Sequence, residues 1–350
     1  MDILIFGGTG AMGMPLIKLL SKKDNNIYVT TRSERRSDGN VTFIQGNAKD
    51  NKFFESLMLR KYDVIVDFMV YETKEFESRL PRLLDGTNQY FFFSSSRCYA
   101  ESKEPIKEDS SRLIDVCTDS TYLETDEYGL AKGKEENLLF ESDRKNWTII
   151  RPYITYNSYR IQLGVYEKEN WLKRALDGRT VIFPKDIAER KTSLTFGPDV
   201  AGAVVDLIGN EKAYGEAFHI TTEESHTWGE ILEFYCNIIE EKTGKKIKVK
   251  IIEDSKELQK VWNPWQIKYD RLYNRVFDNS KIELVRGKYD YKPCFTGLEE
   301  CLEEFLKKPK WLGMNIKYEA WCDRQVREFT PLSQIPGKKN KLRYLKWRFL

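Results

Sequence analysis

Two side chains of this sequence are spaced for acid–base chemistry: Tyr128 and Lys132, in the run Tyr-Gly-Leu-Ala-Lys. Residues four positions apart share one face of a helix, and the apolar residues 138–140 continue a helical pattern beyond them. An ammonium beside a phenol lowers the pKa of the phenol, so Tyr128 can exchange a proton with a substrate hydroxyl or carbonyl. We predict that Ser95, in a serine run upstream, holds the substrate oxygen. Because a chain with 19 tyrosines forms such pairs by chance, this interpretation depends on the segments around them.

A strand, a glycine-rich turn and a helix follow one another at the start of the chain. The apolar run at residues 3–6 leads directly into the turn, and leucine and isoleucine recur at helical spacing from residue 16. Gly7 allows a tight turn, Gly10 lets the backbone approach a diphosphate, and Gly13 lets the helix pack closely on the strand. This order is typical of a dinucleotide-binding motif, in which the diphosphate lies at the helix N-terminus. The predicted contacts in the turn are Gly7, Gly8, Thr9, Gly10, Ala11, Met12 and Gly13.

The end of the second strand, residues 27–31, indicates which dinucleotide binds. NAD sites place an acid here for the ribose hydroxyl groups, whereas arginine and hydroxyl donors bind the 2′-phosphate of NADP. This chain has Arg32 and Ser33 at the strand end and no acid before Glu34. We therefore predict a preference for NADP over NAD, with Arg32 stacking on adenine and pairing with the phosphate. A solvated basic turn is the alternative.

The strands and helices that must position these residues alternate along the first 150 residues. Apolar runs at 41–45, 64–68 and 90–93 predict further strands, with helices between them. Continuous apolar strands joined by helices indicate a parallel sheet that is buried on both faces. The predicted fold class is therefore α/β, with a doubly wound Rossmann-type sheet. Ligands of such sheets bind beyond the carboxyl ends of the strands, where the serine run 94–96 lies.

The composition is that of a globular protein and gives no general reason to expect nucleic acid or a membrane as partner. The chain has 350 residues, of which 41% are hydrophobic and 32% charged, and a net charge of +3. The six cysteines and two histidines lack metal-ligand spacing, so we predict no metal. The apolar run at the N-terminus is too short for a signal peptide, and we expect a cytoplasmic protein. The basic, aromatic tail at 338–350 could contact an anionic membrane or another polyanion, or pack on its own domain or a second subunit.

Together these segments resemble an extended short-chain dehydrogenase/reductase, the group that contains the NAD-dependent epimerases and dehydratases of nucleotide sugars. The resemblance covers about residues 1–300. Its strongest marks are the glycine turn, the segment Ser94–Tyr99, the Tyr128/Lys132 pair and the segment Trp147–Tyr156. Weaker marks are Pro198–Ala201, Ala217–Ile220, Thr227–Ile231 and Phe277–Lys281.

The resemblance implies a catalytic set of Ser95, Tyr128 and Lys132, in which the two serines beside Ser95 are alternatives to it. It implies an NAD(P)-dependent epimerase, dehydratase or reductase that acts on a carbinol or keto carbon of a nucleotide sugar. It also implies a homodimer, formed through a helix bundle that includes the Tyr128 helix. Beyond the glycine turn, the predicted cofactor contacts are Arg32, Ser33, Asn47, Ala48, Phe68, Met69, Tyr128, Lys132, Pro152 and Tyr153.

Some positions depart from the family pattern. Asn47 stands where many relatives have an aspartate that meets adenine, although an amide can make a similar contact. The run Phe68-Met69-Val70 replaces asparagine and small residues after the fourth strand and reshapes the wall beside the cofactor.

Two non-enzymatic functions remain as alternatives. The pattern around residues 169–179 also resembles the branch that includes the chloroplast stem-loop RNA-binding proteins. An RNA-binding protein, or a protein that senses NADP, can therefore be built on the same fold. A sensor needs neither Tyr128 nor Lys132, so the presence of both argues against it.

The chain divides into two predicted domains and a tail. The cofactor domain comprises residues 1–157 and about 195–222. A smaller α+β substrate domain comprises about 158–194 and 223–335, and the tail comprises 336–350.

Overall fold

The structure, a computed structural model, describes residues 1–349 and divides the chain into two compact units. The first unit contains Met1–Thr155, Ser193–Glu223 and Phe277–Lys292. The second unit contains Tyr156–Thr192, Glu224–Val276 and the chain from Pro293 onward. Within the described range 1–349, no helix has both the length and the apolar character needed to cross a membrane.

Seven parallel strands form the central sheet of the first unit. In chain order they are β1 (Asp2–Phe6), β2 (Asn26–Thr31), β3 (Val41–Gln45), β4 (Tyr62–Asp67), β5 (Thr87–Phe93), β6 (Trp147–Pro152) and β7 (Glu216–Ile220). Their order across the sheet is β7-β6-β5-β4-β1-β2-β3, and every adjacent pair is parallel. The chain order reverses between β1 and β4, which creates a crevice at their carboxyl ends. The predicted doubly wound α/β fold is confirmed.

Helices cover both faces of this sheet. They are α1 (Gly13–Leu20), α2 (Asn51–Leu57), α3 (Thr73–Asp85), α4 (Leu113–Val116), α5 (Ser120–Leu123), α6 (Tyr128–Glu141), α7 (Gly197–Leu207) and α8 (Ser280–Arg286). Two 3-10 helices, Ser96–Cys98 and Glu211–Ala213, and the two-residue strands Thr155–Tyr156 and Thr195–Phe196 complete the elements of this part of the chain. The predicted helix at Tyr128 therefore forms and begins at the tyrosine itself.

The alternating side chains of β1 explain why the sheet is buried on both faces. Ile3 and Ile5 pack with residues of α1 and α7, whereas Leu4 and Phe6 pack with residues of α2, α3 and α6. Successive strand side chains point to opposite faces, and all four are fully buried. A strand buried on both sides must be apolar throughout, which is the pattern that the sequence displays.

The segment Phe277–Lys292 belongs to the first unit, although we predicted it within the substrate domain at 223–335. Ile282 of α8 is 1% exposed and packs in the same core cluster as Val200 and Val204 of α7. The short helix thus extends the layer that covers one face of the sheet.

The second unit combines short strands with helices. Val181–Pro184 pairs in parallel with Val249–Ile252, and Lys191–Thr192 pairs antiparallel with His226–Thr227. The α-helices are Leu172–Leu176, Lys185–Ala188, Trp228–Thr243, Lys256–Gln259, Pro264–Gln266, Cys294–Lys307, Ile316–Val326 and Lys338–Phe349. A π-helix, Ile267–Arg271, and a 3-10 helix, Leu332–Gln334, complete it.

The basic tail forms the helix Lys338–Phe349 and packs on its own unit. The buried hydroxyl of Tyr344 donates to an Asp323 carboxylate oxygen at 2.6 Å, and its ring packs with Ile316 and Ile335. Leu342 remains 69% exposed. One face of the tail helix therefore packs on its own unit, which was one of the predicted alternatives.

Candidate cofactor and active site

The glycine turn follows β1 at the point where the sheet order reverses. Gly7 has a φ of +69°, a conformation that favours glycine, and its N–H donates to the Thr30 hydroxyl at 3.2 Å. A Cβ on Gly13 would lie 2.4 Å from the Gly8 carbonyl oxygen, so α1 can meet the turn only with glycine there. A Cβ on Gly10 would meet nothing within 4 Å. The turn is therefore tight at both ends and open in the middle, where we predicted that a diphosphate approaches.

The first turn of α1 has no side-chain cap. The N-cap position is occupied by Met12, which accepts no hydrogen bond through its side chain, and the first turn carries no acidic residue. Backbone N–H groups at such an end lack intrahelical partners and attract an anion. A diphosphate oxygen can supply the missing acceptor.

A cleft of about 440 Å³ opens beside this turn, over the carboxyl ends of β1 to β4. Its lining includes the predicted contacts Gly7, Thr9, Arg32, Asn47, Ala48, Phe68 and Met69. It also includes Thr30, Thr31, Gly46, Lys49 and Val70, which we did not predict. The remaining predicted contacts, Gly8, Gly10, Ala11, Met12, Gly13, Ser33, Tyr128, Lys132, Pro152 and Tyr153, lie outside this lining.

The strand-end residues Arg32 and Ser33 differ in what they present to the cleft. Arg32 is exposed and lines it, and within residues 1–349 no carboxylate forms an ion pair with its guanidinium. Ser33 instead interacts through its backbone, because its carbonyl accepts from the Thr31 hydroxyl at 2.9 Å. Arg32 is thus a cationic side chain of the cleft lining that pairs with no carboxylate among residues 1–349.

Arg79 of α3, which our sequence reasoning missed, fixes the loop that carries Asn47. Its guanidinium donates to the carbonyls of Ala48 (2.7 Å) and Lys49 (2.6 Å) and to the Asn51 side chain (2.8 Å). The arginine is only 3% exposed. The sequence distance of about 30 residues between Arg79 and this loop explains why no local pattern reveals the contact.

The three serines after β5 have different partners. The Ser94 hydroxyl donates to Glu136 at 2.5 Å, and the Ser96 hydroxyl donates to the Arg151 carbonyl at 2.8 Å. The Ser95 hydroxyl accepts from the Arg97 N–H at 3.2 Å and caps the 3-10 helix. Among residues 1–349 no acceptor takes the Ser95 hydroxyl proton, so this proton is available to a ligand, which distinguishes Ser95 from its two neighbours.

Tyr128 and Lys132 lie on the same face of α6, but the hydrogen bond of Lys132 goes to Glu135. The Lys132 Nζ is 6.0 Å from the centre of the Tyr128 ring and 4.5 Å from that of Phe92. It donates to Glu135 at 2.9 Å, and both side chains are buried. In residues 1–349 no hydrogen bond joins Ser95 to Tyr128. The structure thus brings the tyrosine and lysine together and adds a carboxylate beside them.

A buried ion pair ties α6 to the serine run. Glu136 accepts from the Nε and Nη2 atoms of Arg151, both at 2.8 Å, and from Ser94. Burial opposes ionisation of Glu136, but the Arg151 guanidinium and these hydrogen bonds hold its pKa below the ordinary value. The pair fixes the segment beside Ser95 relative to the helix of Tyr128.

Asp67, the last residue of β4, is a second buried acid that we did not predict. It accepts from the Met69 N–H and from the hydroxyls of Tyr71 and Tyr90, each at 2.9 Å. Burial raises the pKa of Asp67, against these donors and the nearby charge of Lys132. A carboxylate directly after the apolar run at residues 64–66 was the available signal.

Solved structures of other proteins share the fold of this chain. No family model matches the chain. Pal from Bacillus thuringiensis superposes with a TM-score of 0.68 at 17% identity, covering 89% of this chain and 100% of that one. The chain has the fold of the extended short-chain dehydrogenases/reductases.

Two further structures with this extended short-chain dehydrogenase/reductase fold were solved with ligands. The dTDP-glucose 4,6-dehydratase of Bacillus anthracis, in complex with NAD, has a TM-score of 0.67 at 16% identity and covers 89% of this chain and 98% of that one. The UDP-glucuronic acid 4-epimerase of Bacillus cereus, in complex with UDP-glucuronic acid and NAD, has the same score and identity and covers 89% and 100%. The fold is thus one that carries a dinucleotide in those proteins.

One protein that is similar in sequence is named for stem-loop binding and not for an enzymatic activity. The chain is 29% identical over 244 residues to the chloroplast stem-loop binding protein of 41 kDa b of Arabidopsis thaliana. The match covers 65% of this chain and 60% of that protein's length.

Proposed function

We propose that the protein is an NAD(P)-dependent epimerase, dehydratase or reductase that acts on a carbinol or keto carbon of a nucleotide sugar. The observation that carries this proposal is the cleft at the switch point of the sheet, with the glycine turn on one wall and Arg32 and Asn47 on another. The ligands of the dehydratase and epimerase named above support both the cofactor and the substrate class.

The residues present fit a dinucleotide. The uncapped start of α1 and the open side of Gly10 suit a diphosphate. The exposed Asn47 amide, held by the loop that Arg79 fixes, suits adenine. The cofactor, when bound, supplies or accepts hydride at the substrate carbon.

Two side chains of this protein act on the proton and the oxygen of the reacting substrate group. Tyr128 takes the proton from a substrate hydroxyl, or returns it to a carbonyl oxygen. Ser95 donates a hydrogen bond to that oxygen, and Lys132 holds the ribose. We propose that two subunits associate through a bundle that includes α6.

We propose that the cofactor preference follows Arg32, which favours NADP. Replacing Arg32 with aspartate removes the cation that pairs with the 2′-phosphate and adds an acceptor for the ribose hydroxyl groups. We expect the preference to reverse, with the NADPH Kd rising at least about tenfold, since a charged hydrogen bond contributes roughly 1.5–3 kcal/mol. Fluorescence titration with NADPH and NADH measures both constants. Arg36→Asp, at an exposed residue of the same segment outside the cleft lining, is the control, and an unchanged NADPH affinity in Arg32→Asp would refute the assignment.

The proposed function is tested on the purified chain. Mass spectrometry of the denatured protein identifies any retained nucleotide, and titration with NADH and NADPH measures binding. Incubation with a panel of UDP- and dTDP-sugars, followed by chromatography of the products, reports epimerised, dehydrated or reduced sugar. Binding of a dinucleotide together with conversion of one panel member is expected. Absence of dinucleotide binding would overturn the proposal.

RNA binding is the second candidate, and the charge distribution favours it. The second unit has 30 Lys and Arg residues against 21 Asp and Glu residues, a net charge of +9, so that the first unit carries −6 of the total of +3. The name of the plant relative points the same way. A mobility shift with an RNA stem-loop that persists at raised salt would support this function, since purely electrostatic binding weakens steeply with salt.

A further inference from the structure

A buried charge cluster lies between β4 and α6 and contains more acid than base. Asp67 and Glu135 are fully buried, and Lys132 is 1% exposed. Lys132 donates to one oxygen of Glu135 at 2.9 Å, and the other oxygen, Oε1, has no hydrogen-bond partner among residues 1–349. The Lys132 ammonium therefore pairs with Glu135, and its charge also acts on Asp67, with all three groups out of contact with water.

Asp67 and Glu135 differ in the number of hydrogen bonds that their carboxyl oxygens accept. Asp67 accepts three hydrogen bonds, from Tyr71, Tyr90 and the Met69 N–H, which stabilise its ionised form. The hydrogen bonds of Glu135 come from Lys132 alone among the described residues. If Lys132 turned away, Glu135 would become an isolated buried carboxylate, and such a group takes up a proton instead of remaining ionised.

Burial and the neighbouring acids oppose ionisation of Glu135, whereas Lys132 favours it. Burial raises the pKa of Glu135 to about 7, against the attraction of Lys132 and with the help of the negative charges of Asp67 and Asp126. Tyr90, packed against the cluster from β5, has its own pKa raised by burial and by Asp67. Because Lys132 is the main charge that favours the carboxylate form of Glu135, any loss of its contact shifts the proton balance at physiological pH.

We propose that Glu135 is a positioning residue that holds Lys132 when no dinucleotide is bound, and that it takes up a proton from solvent when Lys132 turns to the cofactor ribose. This inference rests on the proposed function, because it requires that a nicotinamide dinucleotide binds. One proton enters, and it forms the O–H bond of the Glu135 carboxylic acid. Cofactor binding is thereby coupled to pH through a residue that does not touch the cofactor.

Isothermal titration calorimetry at pH 7.5 tests the coupling. NADH, or NADPH if only that binds, is titrated in buffers of different ionisation enthalpy, which gives the number of protons taken up per cofactor. We expect uptake of about half a proton or more, and a Kd that rises by up to about tenfold per pH unit between pH 7 and 8.5. In Glu135→Gln the uptake and the pH dependence should both disappear. Glu141→Gln, at an exposed glutamate of the same helix, should behave as the parent protein.

The outcomes separate the two proposals. Failure of both dinucleotides to bind overturns the proposed function. Binding without proton uptake, or uptake that persists in Glu135→Gln, overturns the role of Glu135 and leaves the proposed function standing. Should Glu135→Gln fail to fold, Lys132→Met decides, because Glu135 without its ammonium is already protonated and uptake must vanish.

Discussion

Replacing Tyr128 with phenylalanine is expected to lower kcat by about 10²–10⁴-fold on whichever nucleotide sugar the protein converts, since this is the usual contribution of a positioned proton donor or acceptor. The substitution removes only the hydroxyl. The ring keeps its place 5.2 Å from the Arg97 guanidinium, so helix α6 and the Lys132–Glu135 contact remain. We therefore expect an unchanged cofactor Kd beside the lost turnover, which steady-state kinetics and fluorescence titration measure separately.

The matched control for this prediction is Tyr159→Phe. Tyr159 is 66% exposed and belongs to the second unit, so the loss of its hydroxyl should leave kcat unchanged. If Tyr128→Phe retained parental turnover, Tyr128 would not be the proton-transfer group, and the serine, tyrosine and lysine set would lose its central member. A Tyr128→Phe protein that lost cofactor binding as well would show that the hydroxyl takes part in the predicted cofactor contact or in the local fold, and not in proton transfer alone.

The sheet and the glycine turn are predictable because each depends on local pattern. A strand buried on both faces must be continuously apolar, and residues 3–6 and 90–93 satisfy that condition. The conformation of Gly7 follows from the turn that a strand-to-helix connection requires. These features need no knowledge of which distant residues meet.

The buried polar groups of the site are much less predictable, because strand register and helix packing bring them together. Asp67 meets Tyr90 because β4 and β5 pair with Asp67 opposite Phe92. Glu135 stands three residues after Lys132, yet a glutamate after a lysine is common on solvated helices, and only the packing of α6 in the fold buries this one. Charge patterns along a helix do not reveal which face the fold covers.

The division into units shows the same limit. The helix at Ser280–Arg286 has the length and composition of many surface helices, and the sequence places it between segments of the second unit. Only the packing of Ile282 against α7 assigns it to the first unit. Predictions of domain boundaries therefore fail where the chain crosses between units repeatedly.

The second large effect concerns stability, and it arises at the Glu136–Arg151 pair. Replacing Arg151 with methionine leaves the fully buried Glu136 without its bidentate partner, and it leaves the Tyr99 hydroxyl without the Arg151 donor at 2.8 Å. We expect a loss of about 3 kcal/mol of unfolding free energy, the low end for a broken buried pair, because Arg112 and Ser94 still donate to Glu136. Urea unfolding at pH 7, followed by circular dichroism, measures the loss.

Two comparisons show whether burial causes this effect. Arg144→Met breaks the exposed ion pair with Asp85, where we expect less than about 1 kcal/mol. Adding Glu136→Gln to Arg151→Met removes the stranded charge and should restore part of the stability. Equal losses for Arg144→Met and Arg151→Met would contradict the prediction.

The loss of unfolding free energy in Arg151→Met should depend on pH, and the direction of this dependence can be checked. The folded-state pKa of Glu136 lies below its unfolded value, so ionised Glu136 stabilises the fold above the unfolded pKa, and this contribution is lost as the pH falls through the folded one. The difference in unfolding free energy between Arg151→Met and the parent protein should therefore shrink on acidification.

Because Glu136 lies on the helix of Tyr128 and Ser94 adjoins Ser95, the same substitution should lower kcat in the protein that still folds. Loss of stability with full turnover would separate the ion pair from the geometry of the proposed catalytic set.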